Sequence, residues 1–300
     1  MINGLSYEGS LCRPPTEAYS LVLQVTVGCP YNRCAFCADY KGERYKVKPW
    51  EVIESDIRKG LESFGNGIKR VFLASGNSIA TPTDLLLKTL DALDRTFPSL
   101  EQVSTYGGAK FIKKKKDEEL IALKRSGLNK LYMGVESGDD QVLQEIKKGV
   151  TATEILEQAM RVNRAGISLS VTIIFGLGGK ARSWDHATST ARLLSAMDLE
   201  ELRLHTLILR PKAPLYERID RGDFQVLYRG EVLREMHEFF TLLEASCRVI
   251  SHMSNYLILD GFLPEDKKGF LETIEYALTR EGEEELEREG VLQGELSRVL

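Results

Sequence analysis

Three cysteines, Cys29, Cys34 and Cys37, lie within nine residues of one another and directly follow an apolar run. Thiolates on one short loop can converge on a single metal centre, and soft sulfur ligands select zinc, copper(I) or iron–sulfur clusters. A structural zinc ion takes four closed ligands, whereas a cubane cluster held by three cysteines leaves one iron open for chemistry. The spacing therefore favours an iron–sulfur cluster, with zinc or thiols that bind no metal as alternatives.

Composition and charge limit the class of protein. Cys12 and Cys247 stand far from the loop, and five cysteines placed so unevenly indicate a metal or redox site rather than a disulfide framework. The formal net charge of −4 argues against a nucleic-acid partner, although it leaves a local basic patch open. No stretch approaches the roughly 20 apolar residues that span a bilayer, and residues 1–13 are too polar for a signal peptide. We therefore predict a cytoplasmic protein without a membrane partner.

The elements that must position the cysteines alternate along the chain from about residue 20 to residue 210. Apolar runs rich in β-branched residues predict strands at residues 20–27, 70–74, 102–106, 130–135, 168–175 and 201–209. Amphipathic segments predict helices at residues 50–64, 82–96, 116–126, 139–147 with 153–165, and 183–196. Six such units are too few for the closed eight-stranded barrel. We predict an α/β fold, a partial (β/α)6 TIM-like barrel whose active site lies at the carboxyl ends of its parallel strands.

Beyond residue 215 the alternation stops, and helices at residues 230–244 and 264–278 with an extended segment at 256–259 predict a small helical extension. The predicted domains are an N-terminal segment at 1–19, a core at 20–215 and the extension at 216–300. Thr81 before Pro82 predicts a capped helix start. Gly127 and Gly166 are predicted to close helices in the left-handed conformation.

The cysteine segment resembles the signature of the radical S-adenosylmethionine (SAM) superfamily. Gly-Cys, then Cys-Ala-Phe-Cys, follows a predicted strand as in that family. The family usually has three residues between the first two cysteines, and this chain has four, from Pro30 to Arg33. The resemblance implies that the three cysteines ligate a [4Fe–4S] cluster. It also implies that Phe36, the aromatic residue before the last cysteine, packs beside the adenine of SAM.

Further segments resemble the SAM contacts of the same family and occur in its order. Ser75 and Gly76 stand in place of the family's Gly-Gly-Glu turn, which implies a backbone role beside the SAM amino group. The segment from Gly134 to Gly138 is similar to the branch that holds the elongator catalytic subunit, the methylthiotransferases and the heme chaperones. In that branch, residues at the positions of Glu136 and Lys148 help to bind SAM. The fifth-strand motif implies that the adenosine contacts are Thr172, Gly176 and Leu177.

The resemblance implies an enzyme that cleaves SAM reductively and forms a 5′-deoxyadenosyl radical, which abstracts hydrogen from a substrate. The substrate stays open between a small molecule and a tRNA, and an electron donor such as flavodoxin or ferredoxin is expected. Three alternatives stay open: a zinc-binding structural protein on a degenerate barrel, a cluster that only carries electrons, and a protein like the heme chaperones or coproporphyrinogen oxidase.

Some polar residues fall outside these motifs. His186 lies within a predicted helix, where a histidine is more often a hydrogen-bonded core or cap residue than a catalyst. His252, Ser254 and Asn255 lie beyond the core in an apolar setting, and buried polar groups need partners. They either brace the barrel or contact substrate.

Overall fold

A computed structural model describes residues 4–208, 210–251 and 255–279 of the protein. These residues contain ten strands: β1 Leu21–Gln24, β2 Thr26–Val27, β3 Lys46–Val47, β4 Arg70–Ala74, β5 Gln102–Tyr106, β6 Leu128–Glu136, β7 Ser168–Phe175, β8 Glu201–Thr206, β9 Cys247–Ser251 and β10 Asp260–Leu263. They also contain ten α-helices: α1 Trp50–Phe64, α2 Thr83–Thr96, α3 Ala109–Ile112, α4 Asp117–Arg125, α5 Asp140–Glu145, α6 Ala152–Arg164, α7 Gly179–Ser195, α8 Pro214–Asp220, α9 Arg229–Leu242 and α10 Lys267–Ala277.

Eight strands form one sheet in the order β1-β4-β5-β6-β7-β8-β9-β10. Strands β1, β4, β5 and β6 pair in parallel, as do β7, β8 and β9, whereas β10 runs antiparallel to β9. The short strands β2 and β3 form a separate antiparallel pair. Most parallel strands are joined by a helical crossover, so the predicted α/β class is confirmed.

The strongly periodic segments lie where the sequence predicts them. The predicted bounds of β4, β5, β7 and α1 agree with the structure residue for residue. Gly127 and Gly166 both adopt positive φ after a helix, at +104° and +80°, as expected for closing glycines. The predicted cap at Thr81 is wrong, because α2 begins at Thr83 and Pro82 takes the cap position. The Thr81 hydroxyl is buried and has no hydrogen-bond partner among the described residues.

The region after residue 215 contains two strands, β9 and β10, that the sequence analysis does not predict. The extended segment predicted at 256–259 is not a strand, and β9 and β10 flank it instead. In β9, Cys247 and Val249 are buried while Arg248 is exposed, an alternation too short to stand out in the sequence. The sixth predicted strand ends at Thr206, and its last residue, Leu209, lies outside the described residues together with His252 and Ser254.

Two compact units divide the chain, one with residues 1–32, 39–133 and 158–169, the other with residues 33–38, 134–157 and 170–300. The domain bounds at 19 and 215 therefore stay a prediction. Aromatic edge contacts, such as Phe175 with Phe239 at 5.4 Å between ring centroids, lie in the core of the second unit. No helix within the described residues is long and apolar enough to cross a membrane.

The carboxylate of Glu17 organises the core of the first unit. It is fully buried and accepts hydrogen bonds from the hydroxyl of Ser20 and from four further side chains. These donors belong to β4, β5 and β6: Arg70 at 3.1 Å, Gln102 at 3.1 Å, Ser104 at 2.8 Å and Tyr132 at 2.7 Å. A buried carboxylate with this many donors ties three neighbouring strands to the N-terminal segment.

Replacing Glu17 with alanine is expected to destabilise the protein by roughly 3 kcal/mol, because several buried donors lose their acceptor at once. Urea unfolding followed by circular dichroism measures the loss. The matched control is Glu101→Ala, which removes the exposed ion pair of Glu101 with Lys69, whose side chains are 64% and 65% exposed. Loss of that pair is expected to change the free energy of unfolding far less, because solvent screens exposed charges. Equal losses in the two variants would contradict the role of Glu17.

Candidate cofactor site

The first cysteine, Cys29, follows a tight turn at the end of the β2–β3 pair. Gly28 adopts φ +68°, and a Cβ atom there would lie 3.4 Å from the backbone of Arg44 and Tyr45. The pairing of Val27 with Lys46 holds the two segments together. A residue with a side chain would be strained at Gly28, so this glycine sets the direction in which the chain enters the cysteine loop.

Gly76 lies against the same cysteine. A Cβ atom at Gly76 would lie 2.9 Å from the Cβ of Cys29 and 2.7 Å from the ring of Tyr40. The neighbouring Ser75 is fully buried, and its groups already bond to protein: the amide to Thr26 Oγ1 at 3.3 Å and the hydroxyl to the carbonyl of Ser10 at 3.4 Å. Gly76 thus lies next to Cys29, and the predicted roles of Ser75 and Gly76 in binding SAM stay predictions.

Cys34 and Cys37 belong to the second unit, in a segment fixed by backbone hydrogen bonds at Ala35. The Ala35 amide donates to the carbonyl of Ile146 at 2.7 Å, and its carbonyl accepts from the amide of Leu215 at 2.8 Å. Ala35 is buried with Leu215, and Phe36 packs against this cluster. These contacts hold the two residues between Cys34 and Cys37 in place. Both partners are distant in the sequence, because Ile146 lies over 100 positions from Ala35 and Leu215 lies farther still.

Glu136 and Lys148, which the resemblance implies as two separate SAM contacts, form an ion pair with each other. Their Oε1 and Nζ atoms lie 2.9 Å apart, with side chains only 9% and 14% exposed, and the Lys148 ammonium lies 6.0 Å from the centroid of the Phe36 ring. Burial alone would lower the pKa of Lys148, but the charges of Glu136, Cys34 and Cys37 outweigh it and raise that pKa. The ammonium therefore stays charged, and its distance to the Phe36 ring places it near the segment of Cys34 and Cys37.

The backbone around Glu136 is strained where it accommodates this ion pair. A Cβ atom at Gly134 would lie 2.1 Å from the Glu136 carboxylate and 3.1 Å from Nζ of Lys148, so only glycine leaves room for the pair. Glu136 itself adopts φ +67°, a left-handed conformation that is uncommon for residues other than glycine. Backbone strain of this kind, of order 1–3 kcal/mol, concentrates at functional sites.

The predicted adenosine contacts lie at and near the carboxyl end of β7. Thr172 is half-buried within the strand, and Leu177 is buried just beyond it. Gly176 adopts φ +82°, donates its amide to Glu235 Oε1 at 2.6 Å, and accepts from the amide of Gly179 at 3.1 Å. Both backbone groups of Gly176 are thus in use within the protein, as in a strand-to-helix turn. Its role in SAM binding stays a prediction, as do those of Thr172 and Leu177.

The sequence reasoning missed Glu235, a fully buried carboxylate on α9. Besides the Gly176 amide it accepts the hydroxyl of Ser183 at 2.5 Å, and its Oε1 atom lies 3.7 Å from Nε2 of His186. Burial raises the pKa of Glu235, although His186 and the two hydrogen bonds oppose that shift. One signal could have found it: Glu235 stands in the apolar stripe of α9, between Val232 and Phe239, where a carboxylate is out of place.

Within each unit, the surroundings of the cysteines are compatible with ligands of a [4Fe–4S] cluster. Cys29, Cys34 and Cys37 are partly exposed and form no disulfide, and the absence of a side chain at Gly76 gives Cys29 and the Tyr40 ring the space that they occupy. The phenolic oxygen of Tyr45 is buried without a hydrogen-bond partner among the described residues, and burial together with the nearby Cys29 raises its pKa. An unpartnered donor beside a cysteine suits the sulfur acceptors of such a cluster. No three acidic, histidine or cysteine side chains in the described part of the chain are arranged to hold a single metal ion. Ligation by the three cysteines stays a prediction.

Replacing Gly76 with alanine is expected to lower the iron and acid-labile sulfide that the protein retains after anaerobic reconstitution. The new methyl group would displace Cys29 or the Tyr40 ring from its position. The control is Gly67→Ala, because a Cβ atom at Gly67 meets nothing within 4 Å. If Gly76→Ala retained as much iron as Gly67→Ala, the close approach of Gly76 to Cys29 would have no bearing on the cluster.

Replacing Glu235 with glutamine is expected to change how stability depends on pH. A carboxyl whose pKa is raised by folding favours the native state when protonated, so this contribution is lost as the pH rises from the ordinary glutamate value through the raised one. As the pH rises above the ordinary glutamate pKa, the wild type should lose free energy of unfolding relative to Glu235→Gln. Urea unfolding of the protein without cofactors measures the difference, with the exposed Glu244→Gln as control. Parallel pH curves for wild type and Glu235→Gln would contradict the raised pKa.

Comparison with known proteins agrees with this geometry. The chain matches the Radical SAM superfamily over residues 23–194, which is more than half of its length. An uncharacterized protein of Methanocaldococcus jannaschii is 21% identical over 261 residues, covering 84% of this chain and 76% of that protein. The heme chaperone HemW of Bacillus subtilis is 24% identical over 196 residues, covering 65% of this chain and 50% of HemW.

Solved structures share the fold. Coproporphyrinogen III oxidase (HemN) from Escherichia coli, a radical SAM enzyme, superimposes with a TM-score of 0.58 at 15% identity, covering 74% of this chain and 52% of HemN. The chain thus spans about half the length of HemW and of HemN. The predicted fold class and the predicted branch of the family are confirmed. The chain belongs to the radical SAM superfamily, and it is an enzyme with the cofactors of that family, SAM and a [4Fe–4S] cluster.

Proposed function

We propose that the protein cleaves SAM reductively, with Cys29, Cys34 and Cys37 as cluster ligands, and that its product radical abstracts hydrogen from a small-molecule substrate. The single observation that carries the proposal is the buried ion pair of Glu136 with Lys148, whose ammonium lies 6.0 Å from the centroid of the ring of Phe36, the residue before Cys37. A structural zinc site requires no such pair beside two of its thiolates. When bound, the cluster and SAM supply the electron transfer and the 5′-deoxyadenosyl radical.

The side chains around the cysteines bind and orient in this proposal. The ammonium of Lys148 would bind the carboxylate of SAM by a charge-assisted hydrogen bond, and Glu136 would keep that ammonium aimed and accept from the SAM amino group. The ring of Phe36, 6.0 Å from Nζ of Lys148, would cover the adenine. Gly76, which has no side chain, would allow Cys29 to keep its position close to the backbone.

The proposal extends to the substrate, the electron donor and the cellular compartment. HemW and HemN are similar to this chain over about half of their own length, so a heme-related substrate is a second candidate supported only by that likeness. We propose flavodoxin or ferredoxin as the electron donor, since each delivers single electrons at low potential, and the cytoplasm as the place where they meet. The net charge of −4 still argues against a nucleic-acid substrate.

Anaerobic reconstitution with iron and sulfide, followed by dithionite and SAM, tests the proposal. The wild type is expected to form 5′-deoxyadenosine and methionine, and Cys34→Ala is expected to form neither, because a cluster ligand is lost. The control is Cys247→Ala, which removes a buried thiol from β9. It should keep the iron, sulfide and cleavage rate of the wild type.

Two results would contradict the proposal. Protein that takes up zinc and no acid-labile sulfide would favour the zinc-binding structural protein. Equal cleavage by Cys34→Ala and by Cys247→Ala would show that the three-cysteine loop does not hold the reacting cluster.

A further inference from the structure

The turn directly after Glu136 is held in place by helix α7. The hydroxyl of Ser137 lies 2.8 Å from Nδ1 of His186, and the amide of Gly138 donates to Oγ1 of Thr190 at 2.8 Å. Ser137, His186 and Thr190 are each at most 2% exposed. Two consecutive residues of the turn thus bond to one helix through buried side chains.

The third residue of the turn, Asp139, bonds to the same helix. Its Oδ2 atom accepts from Nη2 of Arg182 at 2.7 Å and from Nε at 3.0 Å, while Oδ1 caps α5 by accepting the amide of Gln141 at 2.8 Å. Burial alone would raise the pKa of Asp139, but Arg182 and the capped amides outweigh it and lower that pKa. Asp139 therefore meets Arg182 as a carboxylate.

The three helix residues share one face of α7. Arg182, His186 and Thr190 are spaced by four positions, which places them in a row along the helix. The helix is kinked at the first of them, because Arg182 has φ −132° and ψ 17°. After the kink, the row presents a guanidinium, an imidazole and a hydroxyl to the three residues of the turn.

The turn 137–139 packs tightly against α7. A Cβ atom at Gly138 would lie 2.4 Å from the carbonyl oxygen of Ser189 and 2.7 Å from Cα of Thr190, so the backbone of the turn packs directly on α7. His186 also approaches the carbonyl of Ile174 with Nε2 at 3.1 Å, which ties the same helix to β7. Glu136, in its left-handed conformation, immediately precedes this fixed turn.

We propose that Arg182, His186 and Thr190 form a clamp that fixes the turn 137–139 and thereby positions the Glu136–Lys148 pair for binding SAM. The three are positioning residues, because they act on the pair only through the turn. Loss of one clamp contact lets the turn shift, and the carboxylate of Glu136 then leaves the position in which it aims Lys148. The inference rests on the proposed function of that pair.

Two threonines on α7 allow a matched test. Thr190 and Thr188 are both buried, at 1% and 7% exposure, but the Thr188 hydroxyl donates within its own helix, to the carbonyl of Asp185 at 3.4 Å. Valine replaces either threonine with nearly the same shape and no hydroxyl. Thr190→Val and Thr188→Val therefore differ mainly in whether the Gly138 amide keeps its acceptor.

The readout is the Kd for SAM, measured by equilibrium dialysis on reconstituted protein that is not reduced and does not turn over. Thr190→Val is expected to raise this Kd about tenfold, equivalent to about 1.4 kcal/mol, while Thr188→Val and Thr190→Ser keep the wild-type value. Hydrogen exchange of protein without cofactors gives a second readout. The Gly138 amide should exchange faster in Thr190→Val than in Thr188→Val.

A substitution at Arg182, which is more exposed than Thr190, repeats the test with less risk to folding. The Arg182 side chain is 25% exposed, and Arg182→Met is expected to raise the Kd for SAM in the same direction as Thr190→Val. Arg192→Met, at an exposed arginine on the same helix, is the control and should leave it unchanged.

Equal Kd values for Thr190→Val and Thr188→Val would overturn the clamp, as would faster Gly138 exchange with no change in SAM affinity. A wild type that carries the cluster but binds no SAM would overturn the proposed function and the clamp together. That outcome is distinguishable because all variants would then share it.

Discussion

A buried ion pair sets the constraint on which the second unit depends. Burying the charges of Glu136 and Lys148 is costly, and removing one partner of such a pair typically costs about 3–5 kcal/mol because the other charge is left uncompensated. A Cβ atom at position 134 would overlap the pair in its present arrangement, and Glu136 adopts a left-handed conformation. A fold optimised for stability alone would replace such a pair with apolar side chains. In the proposed function, the pair binds the charged groups of SAM.

Buried carboxylates recur in the molecule, and each one marks a place where separate chain segments must stay in register. Glu17 collects donors from three strands of the first unit, whereas Glu235 joins α9 to the turn after β7 and to α7. Because a buried carboxylate is costly without donors, each of these groups strongly disfavours arrangements in which its partners move away. The proposed clamp on α7, in the second unit, also consists of buried polar side chains. The residues proposed to bind SAM are therefore supported by side chains whose hydrogen bonds are made.

The cysteine loop shows how a short motif becomes a site. The motif places three thiols close together in the chain, but their directions depend on contacts made elsewhere. Gly28 and Gly76 shape the surroundings of Cys29 through close backbone approaches, and the hydrogen bonds of Ala35 to Ile146 and Leu215 fix the segment of Cys34 and Cys37. The four residues between the first two cysteines, one more than is usual in the family, lie between these two anchored parts.

The sequence by itself determined the α/β class and the cysteine loop, and it singled out Glu136 and Lys148 without pairing them. Each of these depends on local patterns: hydrophobic periodicity, a short motif, or a resemblance carried by a few adjacent residues. Only the tertiary structure decided the network of Glu235, the clamp from α7, and the pairing of β9 and β10 with the sheet. Gly176 and Glu235 lie 59 positions apart in the sequence, and Gly138 and Thr190 lie 52 positions apart. At such distances along the chain, packing and the need to satisfy buried polar groups choose the contacts, and no local pattern encodes them.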